Sequence, residues 1–136
     1  MMIKRTHEDF FALVRERIAQ KDYDALFSAA CCFQFALQSH RRGIGSLAYM
    51  RASLDPTKKG HVFVITADGR AFDRRGFREI AAVIKEFGEW GDEPHFAATE
   101  AEIESDSRAR LLPPDLETEV FAIADQLITQ LTQPVA

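Results

Sequence analysis

Three groups of side chains have chemistry to offer. The first is the nucleophiles and metal ligands: Cys31, Cys32 and the histidines His7, His40, His61 and His95. Both cysteines sit inside the apolar run 25–37, where a thiol behaves as a small hydrophobe, and adjacent cysteines close no useful loop. The histidines stand apart, with no HExxH, HxH or Cys/His pairing at zinc-ligand spacing. Cys32 and His40 lie two turns apart on one predicted helix, beyond side-chain contact, so no nucleophile–base pair follows from them. Asp92-Glu93-Pro94-His95 is a short run with carboxylate and imidazole ligands, but such runs are common in loops. Gly43-Ile44-Gly45-Ser46 is too short for a nucleotide fingerprint. Neither a metal nor a cofactor is expected.

The second group is cationic. Asp73 is predicted to cap a helix running to Phe87, which puts Arg74 and Arg75 in its first turn beside Gly76. Cations there oppose the helix dipole, but free amides and guanidiniums together make an anion site. With Arg70 and Arg42, this group would hold a phosphate, a nucleic-acid backbone or a partner's carboxylates. The third group is acidic. Glu100, Glu102, Glu104 and Asp106 alternate with Ala101, Ile103 and Ser105. In an extended chain these four carboxylates share one side, ~6.8 Å apart. In a helix they scatter, and the Thr99…Glu102 spacing offers a capping box for that alternative.

The charge distribution joins the last two groups. The 136 residues carry a net charge of −4. Residues 40–78 hold nine basic and three acidic side chains, and residues 79–136 hold three basic and thirteen acidic ones. Opposed blocks of this kind bear on partners and not on fold. The reading that follows is a small protein that works by binding: an inhibitor, an immunity or antitoxin-like factor, or an adaptor. A basic protein partner would meet the acidic C-terminal half at Glu100, Glu102, Glu104 and Asp106. One alternative is a phosphate or nucleic-acid binder using 41–78, although the acidic pI of about 5.6 argues against it. Another is a small enzyme with a cleft lined by Arg41, Arg42 or His40. Head-to-tail pairing of the blocks would also allow a homodimer.

The elements that must position these groups follow from pattern. Thr6 is predicted to cap a first helix with Phe10, Leu13, Val14 and Ile18 on one side. Asp22 caps a second, from Tyr23 to Arg41, apolar on most of its circumference and ended by Gly43. Alternation from Gly45 predicts a strand, although a short helix competes with it. The β-branched and aromatic run His61–Thr66 reads as a central strand. Asp68-Gly69 signals a two-residue hairpin with positive φ at both positions, returning through Arg70-Ala71-Phe72. Phe77, Ile80, Ala81, Ile84 and Phe87 form the packing face of the next helix, and Asp115 caps the last one. The expected class is therefore α+β: a three-stranded antiparallel β-meander with about four helices, in the order α-α-β-β-β-α-loop-α. Residues 1–136 are expected to form one domain, with 91–114 irregular and acidic. The chain shows neither a signal-like apolar stretch at its start nor a span of membrane length, so a cytoplasmic protein without membrane contact is expected. Trp90 is expected to be partly buried in the core.

Overall fold

The computed structural model describes residues 7–52, 55–88 and 94–133. Within them the class is α+β, but the sheet has five antiparallel strands and not three. The strands are β1 (Ser46–Arg51), β2 (Lys59–Ile65), β3 (Ala71–Asp73), β4 (Gly76–Arg78) and β5 (His95–Ala97), in the order β4-β3-β2-β1-β5. The β-branched run does occupy the centre. The strand reading from Gly45 holds as β1.

Two strands were hidden by turn chemistry. Asp73 caps no helix: it ends β3, and Arg74-Arg75 form a tight turn into β4, where Gly76 has φ +85°. Asp73 Oδ1 accepts the Arg75 amide at 3.0 Å, so its capping tendency goes into that turn. The helix starts only at Ile80, as α4 (Ile80–Phe87), and its fully buried residue is Val83. Phe77, assigned to the helix face by its spacing, is instead an exposed residue of β4. The other hidden strand is β5, a short edge pairing with β1 inside the segment expected to be irregular.

The turn at Asp68-Gly69 is a hairpin, but only Gly69 has positive φ. The Gly69 amide donates to the Thr66 carbonyl at 3.0 Å, and the ladder resumes with the Thr66 amide on the Arg70 carbonyl at 2.8 Å. This is a longer loop with one left-handed glycine, a common hairpin variant.

The helices are α1 (His7–Ala19), α2 (Tyr23–Ala25), α3 (Cys32–Arg41), α4, α5 (Glu100–Glu104) and α6 (Pro114–Thr132), with a π-helical turn over Leu26–Ala30. The second helix is thus broken where a continuous one was expected. Asp22 does cap its start, accepting the Ala25 amide at 3.3 Å. The Cys31 amide then bonds the Leu26 carbonyl at 2.7 Å, five residues back, and Cys31 leaves helical geometry at φ −125°. The chain restarts as α3 at Cys32. At its far end Gly43 takes φ +78°, as a helix stop requires. In α6 the N-cap is Pro113 with Pro114 following, not Asp115, because proline suits a first-turn position that needs no N–H.

Both faces of the sheet are covered. Val62, Val64, Leu47 and Phe72 pack with α3, α5 and α6. Ala48, Met50, Phe63 and Ala71 pack under α4, with Val83 as its anchor. Among the described residues no helix is long and apolar enough to cross a membrane. The expectations that Thr6 caps α1, for Trp90, and for Asp92 and Glu93 as ligands lie outside the described residues.

Candidate functional site: a buried thiol, imidazole and carboxylate

Three elements converge at the N-terminal end of β2. The restart of α3 places Cys32 in its first turn, and no side chain caps that end. The strand ladder places His61 near the start of β2 and Asp73 at the end of β3. One step beyond the pairing of Val64 with Phe72, Asp73 stands opposite Phe63. His61 is therefore its diagonal neighbour on the same face of the sheet. Between thiol and imidazole lies Gly60, the extra residue where the β1–β2 register shifts. A Cβ there would come within 2.9 Å of the Ala52 Cα, so only glycine lets the strands approach this closely. Bulges re-aim side chains and are frequent beside active sites.

Cys32 is 1 % exposed, His61 3 % and Asp73 2 %. His61 Nε2 lies 3.6 Å from Asp73 Oδ2. Cys32 Sγ lies 3.9 Å from the Gly60 carbonyl, one residue before the imidazole. Both imidazole nitrogens are buried without a hydrogen-bond partner.

Burial by itself pushes the Cys32 thiol up. The nearby His61 imidazole, the Arg108 guanidinium and the Val62 amide outweigh this and bring the thiol below its ordinary value. Burial likewise opposes a charged imidazole, yet Asp73 and Cys32 hold the His61 proton more tightly than usual. For Asp73 burial raises the carboxyl, but His61, Arg78 and the Arg75 amide set it far below the carboxylate range. The neighbouring Cys31 is pushed up to about 12 by burial and by Cys32. The two adjacent thiols are therefore shifted in opposite directions. Arg108 reaches this point from the segment after α5, donating to the Lys59 and Gly60 carbonyls at 3.3 and 3.2 Å. Among the described residues no group of three or more His, Cys, Asp or Glu has the geometry to hold a metal ion.

The anion-binding residues expected from sequence are spread over three places. Arg42 bonds Thr129 and the Asp125 carbonyl on α6, at 2.8 and 3.0 Å. Arg70 pairs with Asp68 at 2.9 Å in the β2–β3 loop. Arg74 and Arg75 are together, but in a β-turn and not a helix N-terminus, and both bind Asp24, at 3.2 and 3.0 Å. Of the acidic residues, Glu100 and Glu104 both accept from Arg41, at 2.8 and 2.6 Å. Glu102 closes the capping box with Thr99, so the helical alternative holds for this segment. Asp106 accepts the Arg108 amide at 2.9 Å. These carboxylates do not form one stripe.

The proposed Arg/His cleft is present only in part. A cavity of about 670 Å³ is lined by Arg41, Glu104, Arg110 and Glu117, whereas His40 turns to the Gly45 carbonyl at 2.9 Å.

Sequence reasoning missed the triad because its members were judged by sequence separation. The two-residue turn expected at Asp68-Gly69 would set Asp73 opposite Val64, away from His61, whereas the longer loop sets it opposite Phe63; nothing local points to Cys32. Comparison with family models, curated proteins and solved structures finds no match for this chain. The site is read from its geometry alone.

Proposed function

We propose that the chain is a thiol enzyme of the acyl-transfer class, with Cys32 as nucleophile, His61 as its general base and later acid, and Asp73 as the group that orients the imidazole. The observation that carries this reading is the shared burial of Cys32, His61 and Asp73 at one end of β2, with His61 Nε2 3.6 Å from Asp73 Oδ2 and Cys32 Sγ 3.9 Å from the Gly60 carbonyl beside His61. Nucleophile, base and orienting carboxylate recur together on unrelated folds and are recognised by geometry and role. A thiolate is the reactive form of cysteine, and a helix N-terminus, a neighbouring imidazolium and a guanidinium each favour it.

In the reaction, the Cys32 thiolate attacks an acyl carbon and the imidazolium returns its proton to the leaving amine or alkoxide. Water then hydrolyses the thioester, with His61 taking the proton of that water. The uncapped first turn of α3 supplies amides that suit the intervening oxyanion. The basic-partner reading has weaker support, because Arg41 and Arg42 already meet Glu100, Glu104 and Asp125 within the chain.

The test is the pH profile of Cys32 alkylation by iodoacetamide, with mass-spectrometric detection of an acyl adduct from p-nitrophenyl acetate. Reactivity should extend below the ordinary thiol value of 9.0. His61→Gln should move the profile upward, and Asp73→Asn should lower the rate. Acylation should vanish in Cys32→Ser. A profile indifferent to His61 would sink the proposal.

A further inference from the structure

The imidazole of the proposed triad is covered on one face, and the last turn of α4 covers it. The Phe87 ring lies on the His61 imidazole with centroids 3.6 Å apart and planes within 11° of parallel. An acyl group has no approach to that face while Phe87 is seated. Glu86, the preceding residue, binds Arg78 Nη2 at 2.5 Å and also bonds Arg74 Nη2. The same two guanidiniums hold Asp73 Oδ2, at 2.6 Å from Arg78 and 3.3 Å from Arg74. Arg74 also lies over the outer side of the Phe87 ring, 5.1 Å from its centroid. One ionic cluster therefore orients the carboxylate of the triad and fastens the element that covers it.

The rest of α4 is lightly attached. It has eight residues, no side-chain cap at Glu79, and Val83 as its one fully buried side chain. So short a helix owes its stability to packing, and elements with few buried contacts open at low free energy. The core around Cys32 and β2 has no such freedom.

We propose that the last turn of α4 is an autoinhibitory cover. With Glu86 on Arg74 and Arg78, and Phe87 on His61, the site is shut; displacement of this turn admits substrate. The inference rests on the thiol-enzyme reading, and its test separates the two.

The full-length chain, its Phe87→Ala and Glu86→Gln variants, and each combined with His61→Gln are treated with iodoacetamide. Alkylation is mapped separately to Cys32 and Cys31. Both cover variants should alkylate Cys32 about tenfold faster than the parent, the scale of a lost local latch. Cys31 should stay protected, because it lies in the core under α3 and burial pushes its thiol up to about 12. Parallel labelling of both cysteines, or unchanged Cys32 rates in folded Glu86→Gln protein, would overturn the cover. If Phe87→Ala does not fold, Glu86→Gln decides, since it leaves the packing intact. Faster labelling that ignores His61→Gln keeps the cover and sinks the thiol–imidazole reading. A rate that depends on His61 but not on Phe87 or Glu86 does the reverse.

Discussion

Arg74 and Arg41 are both arginines bound to two or more carboxylates, yet they do different work. The Arg74 side chain is 2 % exposed and meets Asp73, Asp24 and Glu86, whereas Arg41 is 39 % exposed and meets Glu100 and Glu104 at the surface. At the surface, water screens the pair and little stability is gained. In the interior each charge depends on its partners, because an unmatched one cannot be solvated. Segregation of charge along the chain shows neither case. What distinguishes them is depth, and the buried cluster is the one that meets the His61 imidazole through Asp73.

The widest gap between these regions should appear in thiol chemistry. At neutral pH, alkylation should go to Cys32 and spare Cys31, whose thiol burial pushes up to about 12. Peptide mapping after limited labelling checks this, and equal labelling of a folded chain would erase the distinction between the two thiols.

Next is the buried carboxylate. Asp73→Asn leaves Arg78 and Arg74 short of a partner in the interior and should cost about 3–5 kcal/mol, read from denaturant midpoints. The pH dependence should follow the same logic. Asp73 is depressed in the folded state, so its contribution is fully present above the ordinary carboxylate value and drains away as pH falls below about 4. His61 is raised, so its contribution is full below about pH 6.5 and is lost as pH rises through its folded value. His61→Gln should remove the alkaline decline and leave the acid one, as thermal melts across pH would show.

A smaller effect is expected at the strand crossing. Gly60→Ala forces a Cβ against the Ala52 backbone and should destabilise by about 1–3 kcal/mol, with Cys32 reactivity changed as the bulge shifts. The smallest belongs to the surface. Arg42→Ala breaks the exposed pair with Asp125 and should change stability by less than about 1 kcal/mol. A loss as large as that of Asp73→Asn would void the contrast between depth and surface.

Much of the framework was legible from local chemistry. Asp22 caps, Gly43 stops, Thr99 and Glu102 box, and the β-branched run after Gly60 takes the sheet centre. These signals depend on bonds within a few residues, so the chain carries them wherever it folds. Asp73 was legible as a capping residue, but the element it serves was not: an Asx turn and a helix N-cap use the same side-chain oxygen on the same nearby amides. The π-helical turn before Cys32 left no mark in composition, because an apolar stretch reads alike with or without a break. Arg74 and Arg75 were visible as cations, and their partners Asp24 and Glu86 were not, since those lie about fifty residues upstream and a helix downstream.

Alternation and turn residues were enough to put His61 on a central strand that enters a hairpin, but not to set the face of Asp73. A two-residue turn would pair Asp73 with Val64, and only the longer loop sets it opposite Phe63, on the side of His61. The arrival of Cys32 beside them, the burial of all three, and the closure by Phe87 required the helices to dock. Docking depends on the summed fit of side chains from distant segments, and no single stretch of sequence contains that sum.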